Sequence, residues 1–185
     1  MKALTIWQPW ATLIMVGAKP FEFRGYPAPR FVTGCTIVIH AGSRPIRTSE
    51  VEDLIERLDD TEDAWTTGLF ADKARPVLER ALAQSRYKAP KLGPVDLFGE
   101  RKAPCEALGF DPLPLGAGVG TVRVGTPVRG DECAKTFGVT INDSDRDEHA
   151  NWGWPMLEIE PWPEPLPMKG AQGFWTWPTP EAAGL

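Results

Sequence analysis

The stretch Gly17-Ala18-Lys19-Pro20-Phe21-Glu22-Phe23-Arg24 sets an ammonium, a carboxylate and a guanidinium close together among aromatic side chains. Lys and Arg offer only donors, suited to phosphate, carbonyl or carboxylate oxygens, whereas Glu can hold both cations in place or accept from an exocyclic amine. A nucleobase with its phosphate would engage all three. If the group turns over a substrate, Lys19 and Glu22 are the candidate catalytic residues, handling protons at a cleaved bond with Glu22 acting on water. On a plain surface the same trio would be an ion-pair network of little consequence for stability.

Other residues extend this candidate site. Trp7 and Trp10 are placed to stack on a base, a contact of about 1–3 kcal/mol, or to plug the core. His40 closes an apolar run and is either a general base near neutral pH or a structural histidine. Ser43 and Arg44 follow it in a turn where backbone amides and a guanidinium would meet a phosphate. Trp152, Trp154, Trp175 and Trp177 are read as barrel filling. Asp143, Asp145, Asp147, Glu148 and His149 make an oxygen-rich run without the glycine spacing of a calcium loop, so no metal ligand set and no cofactor are assigned.

Short elements must position these groups. Ala3 to Ile6 reads as a strand, and Trp10 to Val16 as a helix with Pro9 at its start and Gly17 past its end. From Pro20 to Arg24 the residues alternate, with Phe21 and Phe23 on one face and Glu22 and Arg24 on the other, as a half-buried strand requires. Thr36 to His40 is a β-branched strand between Gly34 and Gly42. Ser49 to Leu58 reads as a helix with Ser49 and Glu52 in a capping box, and a second helix is predicted over about Pro76 to Gln84. Strands resume at Gly118 to Val124, Trp154 to Glu160 and Gly173 to Trp177, with Pro161 to Pro167 as an extended exposed connector. The pattern is one domain over residues 1–180, with a helical insertion at about 45–112 and a tail at 181–185.

Composition bounds the reading. A chain of 185 residues, 42% hydrophobic and 24% charged, can bury one good core. Its 18 glycines and 19 prolines favour turns and short strands over long helices. Cys35, Cys105 and Cys133 are odd in number and lack metal or disulfide spacing, which predicts a reducing, cytoplasmic setting. No run approaches the roughly 18 apolar residues of a membrane span. The net charge of −5 opposes a purely electrostatic nucleic-acid binder, but the charge is unevenly spread. Residues 1–48 carry Lys2, Lys19, Arg24, Arg30, Arg44 and Arg47 against Glu22, whereas 49–72 are strongly acidic with Arg57 as the one base.

The spacing Gly17-x-Lys19-x-x-Glu22-x-Arg24 after a strand and short helix resembles the signature of the ASCH domains of the PUA-like superfamily. The resemblance extends to Ile6-Trp7-Gln8-Pro9-Trp10, Ile39-His40-Ala41-Gly42 and Gly170-Ala171-Gln172-Gly173-Phe174-Trp175. It covers the N-terminal 45 residues and the C-terminal third well, and residues 49–112 poorly. It implies an α+β, PUA-like small β-barrel of five to six strands with short flanking helices. The implied cleft would bind RNA, another single-stranded nucleic acid, or a modified nucleoside or nucleotide. Some members are hydrolases, either metal-assisted ribonucleases or amidohydrolases acting on a modified cytidine. In the amidohydrolases a Thr three residues after the Lys is the nucleophile, and here that position is Glu22, suited to activating water. A third reading is a protein-interaction domain working through the acidic helices and the proline-rich connector. If the acidic helix crosses the cleft, it favours a small ligand; behind the barrel, it leaves the basic face open to a strand.

Overall fold

In the computed structural model, residues 1–60, 67–87, 111–137 and 152–178 are described. The chain is α+β, built on a curled mixed sheet. Strand β1 (Lys2–Ile6) lies between β3 (Thr36–Ala41), which is parallel to it, and β7 (Phe174–Thr176), which is antiparallel. On the other side of β3 come β4 (Ala117–Val124), β6 (Trp152–Pro167) and β2 (Phe21–Arg24), giving the path β2-β6-β4-β3-β1-β7. A seventh strand, the two-residue β5 (Val128–Arg129), adds to β6 opposite Gly153 and Trp152, beyond the five or six that the sequence predicts.

β3 is sandwiched between neighbours and covered on both faces, so its run Ile37-Val38-Ile39-His40-Ala41 is buried throughout. A strand in that position needs no polar alternation. Ile37, Ile39 and Ala41 share a core with Leu4, Ile6, Val122, Val124 and Met156, closed by Ile14 and Met15 of helix α1 (Trp10–Met15). Each such side chain contributes about 1.5–3 kcal/mol on burial.

Helix α2 (Thr48–Asp59) and helix α3 (Ala71–Arg86) supply the insertion's described part. Val51, Leu54 and Leu58 of α2 and Ala74, Val77, Leu78 and Ala81 of α3 bury against Leu13 and Ala18 from the N-terminal segment. The insertion thus shares an apolar cluster with the residues leading to Lys19. The capping box predicted at Ser49 does not form: α2 begins at Thr48 with Arg47 as its N-cap and no side-chain cap bond. α3 starts five residues before the predicted Pro76, which lies inside it. A buried face continuing from Ala74 outweighs proline's preference for a first turn. Helix α4 (Gly130–Phe137) was not legible in the sequence, being short and placed among weak turn signals. The acidic run at 143–149 and the tail lie outside the described residues.

Pro161 to Pro167 is not a separate connector but the second half of β6. Gly120 faces Pro161 and Gly118 faces Leu166, so Trp162 to Pro165 bulge out of the ladder. Proline cannot donate to a ladder and is accommodated where pairing is interrupted. Earlier along β6, Arg123 donates to Glu158 at 2.8 Å. This hydrogen bond holds the Glu158 carboxyl below its ordinary value and raises the guanidinium.

Gly120 is where β4, β6 and α1 approach most closely. A methyl group there would stand 2.5 Å from the Glu160 carbonyl oxygen, 2.5 Å from Met15 Sδ and 2.9 Å from Pro161 Cα. Two of these neighbours are backbone and cannot give way. Gly120→Ala is expected to destabilise the fold by about 1–3 kcal/mol, read from urea unfolding; a change below about 0.5 kcal/mol would show the strands are not so close in solution.

Candidate functional site

Helix α1 ends where Gly17 adopts φ +67°. The amides of Ala18 and Lys19 both return to the Leu13 carbonyl, at 2.9 and 3.0 Å. A left-handed residue here suits glycine, because a side chain would crowd the backbone. The turn throws Lys19 inward to 1% exposure, with Nζ 4.9 Å from the centroid of Trp10 and 4.8 Å from that of Phe23. An ammonium stripped of water is stabilised by the negative faces of such rings.

β2 then delivers the counter-charge. Glu22 and Arg24 share a face, as the alternation predicts, and Glu22 Oε1 accepts from Arg24 Nη2 at 2.6 Å. Oε2 stands 3.9 Å from Lys19 Nζ, close enough for attraction but beyond a hydrogen bond. Glu22 is buried and the Arg24 side chain remains 31% exposed, so the trio presents its guanidinium outward. Pairing of β2 with β6 sets Glu22 opposite Trp154 and Arg24 opposite Trp152.

The trio lines an open cleft of ≈ 1730 Å³. Trp7, Trp10, His40, Ser43 and Arg44 line it as well, so every candidate read from the sequence meets there. So do Ile6, Gly42 and residues 170–174, the other segments singled out in the sequence. Three features of this wall were not legible beforehand: Tyr26, Lys169 and the inner face of α2. Tyr26, 56% exposed, and Phe174 bracket the buried Trp154, with ring centroids 5.6 and 5.9 Å from it. Lys169 joins the cleft, and α2 contributes Ser49, Glu50, Asp53, Leu54 and Arg57. The acidic helix therefore runs along the cleft and not behind the sheet. Tyr26 was missed because tertiary packing alone sets it beside Trp154.

Individual candidates differ in what is left to offer. Trp7 is 52% exposed, but the Arg44 guanidinium carbon sits 3.7 Å from its centroid. His40 is buried; a carbonyl only accepts, so its Nε2–H donates to Met168 O at 2.9 Å. Its Nδ1 meets Thr5 Oγ1 at 3.3 Å, and that hydroxyl donates to Ala171 O and accepts from Trp175 Nε1. The histidine thus fastens the 168–171 segment that forms one lip. Gln8, also buried, accepts from the Thr12 amide and donates to Pro114 O, tying the start of α1 in place. Trp162, Trp175 and Trp177 form a separate half-buried aromatic cluster across Gly118. Among the described residues no group of three metal-ligating side chains occurs. Among them, no helix is long and apolar enough to cross a membrane.

No family model matches the sequence, and no curated protein does.

Burial ranks the trio. Glu22→Gln removes the carboxylate that faces both cations and is expected to destabilise by about 3 kcal/mol, since an uncompensated buried charge remains. Arg24→Ala breaks a pair whose outer member is solvated and should cost about 0–1 kcal/mol. Equal losses in denaturant titrations of the two variants would mean that Lys19 does not depend on Glu22.

Proposed function

We propose that the chain is a PUA-like, ASCH-type module that binds a small nucleotide-like ligand in this cleft. The observation that carries the reading is the trio itself: a buried lysine and glutamate, joined to a partly exposed arginine, on the lining of an open cleft walled by aromatic rings. Such a group is held rigid before any ligand arrives, which lowers the ordering penalty of binding. Six basic side chains line the cleft, Lys19, Arg24, Arg44, Arg47, Arg57 and Lys169, against Glu22, Glu50 and Asp53. An anionic ligand is favoured there despite the negative net charge of the chain.

The place of α2 favours a small ligand over a long strand. Its outer residues Glu52, Glu56 and Asp59 are exposed, and phosphates continuing out of the cleft past them would be repelled. Tyr26 and Phe174 offer the base a stacking surface, while Arg24 is the trio's group for a phosphate or base carbonyl. Glu22 is committed to two cations, which suits orientation of the donors more than proton abstraction.

Nucleoside monophosphates titrated calorimetrically into the protein should bind. Arg24→Ala should weaken binding at least about tenfold, or 1.4 kcal/mol, with the melting temperature nearly unchanged. Unaltered affinity would remove Arg24 from the site. Incubation of the same samples with single-stranded RNA and modified nucleosides reads turnover. Product formed by wild type and lost in a folded Glu22→Gln variant would convert the module into a hydrolase.

A further inference from the structure

Arg44 lies flat on Trp7 and grips Glu50 end-on, Nη1 to Oε1 at 3.2 Å and Nη2 to Oε2 at 2.5 Å. Arg47 Nη1 adds to the same carboxylate at 3.4 Å. All four side chains line the cleft. Arg44 Nε is buried and has no hydrogen-bond partner among the described residues. A guanidinium with a donor left over in this way is incompletely satisfied by a two-oxygen carboxylate. Phosphate brings more charge and more acceptor oxygens than a carboxylate to the same Nη1 and Nη2 end, and Arg favours such bidentate contacts.

Resting on the reading of the cleft as a nucleotide site, we propose that Arg44 and Arg47 are its phosphate subsite and that Glu50 is the internal occupant. The carboxylate holds both guanidinium groups until a ligand phosphate takes its place. Glu50 stands in the first turn of α2 and its side chain is one-third exposed, so it can turn to solvent when displaced. Trp7 keeps the Arg44 plane fixed in either state. Glu50 therefore acts against binding, as a charge of the ligand's own sign at the ligand's own position.

Calorimetric titrations of wild type and Glu50→Gln with inorganic phosphate, uridine 5′-monophosphate and uridine test this. Glu50→Gln should bind both phosphate-bearing ligands at least about fivefold tighter, because a like charge is removed, and bind uridine as wild type does. Arg47→Gln should weaken the phosphate-bearing ligands alone. Equal or weaker phosphate binding by a folded Glu50→Gln variant overturns the subsite, since Glu50 would then organise the arginines. Tighter phosphate with no nucleotide bound by any variant leaves the subsite standing and removes the nucleotide reading. Should Glu50→Gln not fold, the wild-type Arg44 Nε–H resonance, assigned by its loss in Arg44→Lys, decides. It should shift on adding uridine 5′-monophosphate, and a fixed resonance at saturation overturns the proposal.

Discussion

The site depends on housing the Lys19 side chain where water scarcely reaches it. Removing an ammonium from water carries a penalty of several kcal/mol unless attraction and hydrogen bonding offset it. Three features answer that demand together: the turn at Gly17 that sends the side chain inward, the rings of Trp10 and Phe23 beside Nζ, and the carboxylate of Glu22. None acts alone. A strand is needed to hold Glu22 and Phe23, adjacent in one short segment, beside the same ammonium. β2 can be that strand because β6 supplies its ladder through Trp152 to Pro155. The burial of one charge thus ties the N-terminal helix turn to a strand more than a hundred residues later.

The second constraint is the placing of α2. Its apolar stripe, Val51, Leu54 and Leu58, buries beside α3 and Leu13, which fixes the helix along the cleft. Its polar residues then have two destinations. Glu50 and Asp53 enter the cleft, whereas Glu52 and Asp59 pair outward with Arg86 and Arg75, each at 2.6 Å. Exposed pairs of the latter kind contribute little to stability. The basic half of the N-terminal sequence and the acidic half that follows are one electrostatic arrangement, and the average net charge conceals both.

What was legible in the sequence follows from whether local spacing carried it. Strand alternation at Phe21 to Arg24 put the glutamate and arginine on one face, and the β-branched run at Thr36 to His40 marked a central strand. The insertion's helices were readable from start and stop signals, though their starts lay elsewhere. At Ser49 the expected cap did not form, because the helix already starts at Thr48 and Glu52, the carboxylate of the expected box, pairs with Arg86. At Pro76 the rule for proline yielded to burial. The bulged end of β6 was hidden because prolines read as breakers when the pairing partner is unknown. The partners of the site were the least legible. Tyr26, Lys169 and the inner face of α2 enter only through the fold, and no pattern within any one segment announces them.

Two cations in this cleft are treated alike, and that likeness limits what the tryptophans can do. Lys19 sits over Trp10 and Arg44 over Trp7, so both rings that sequence reasoning offered to a base already stabilise a protein charge. A base stacking on Trp7 from the Arg44 side would have to displace a guanidinium 3.7 Å from the ring centroid. An aromatic contact of about 1–3 kcal/mol would not offset the loss of that cation's contacts with ring and carboxylate together. On the proposed reading of the cleft, stacking therefore falls to Tyr26, which is exposed while its carbonyl accepts from Trp154 Nε1 at 2.9 Å. That bond ties its backbone to the buried indole. The aromatic residues near the chain start thus hold the donors in position, and the surface left for a ligand's ring lies after β2, where the chain leaves the buried trio.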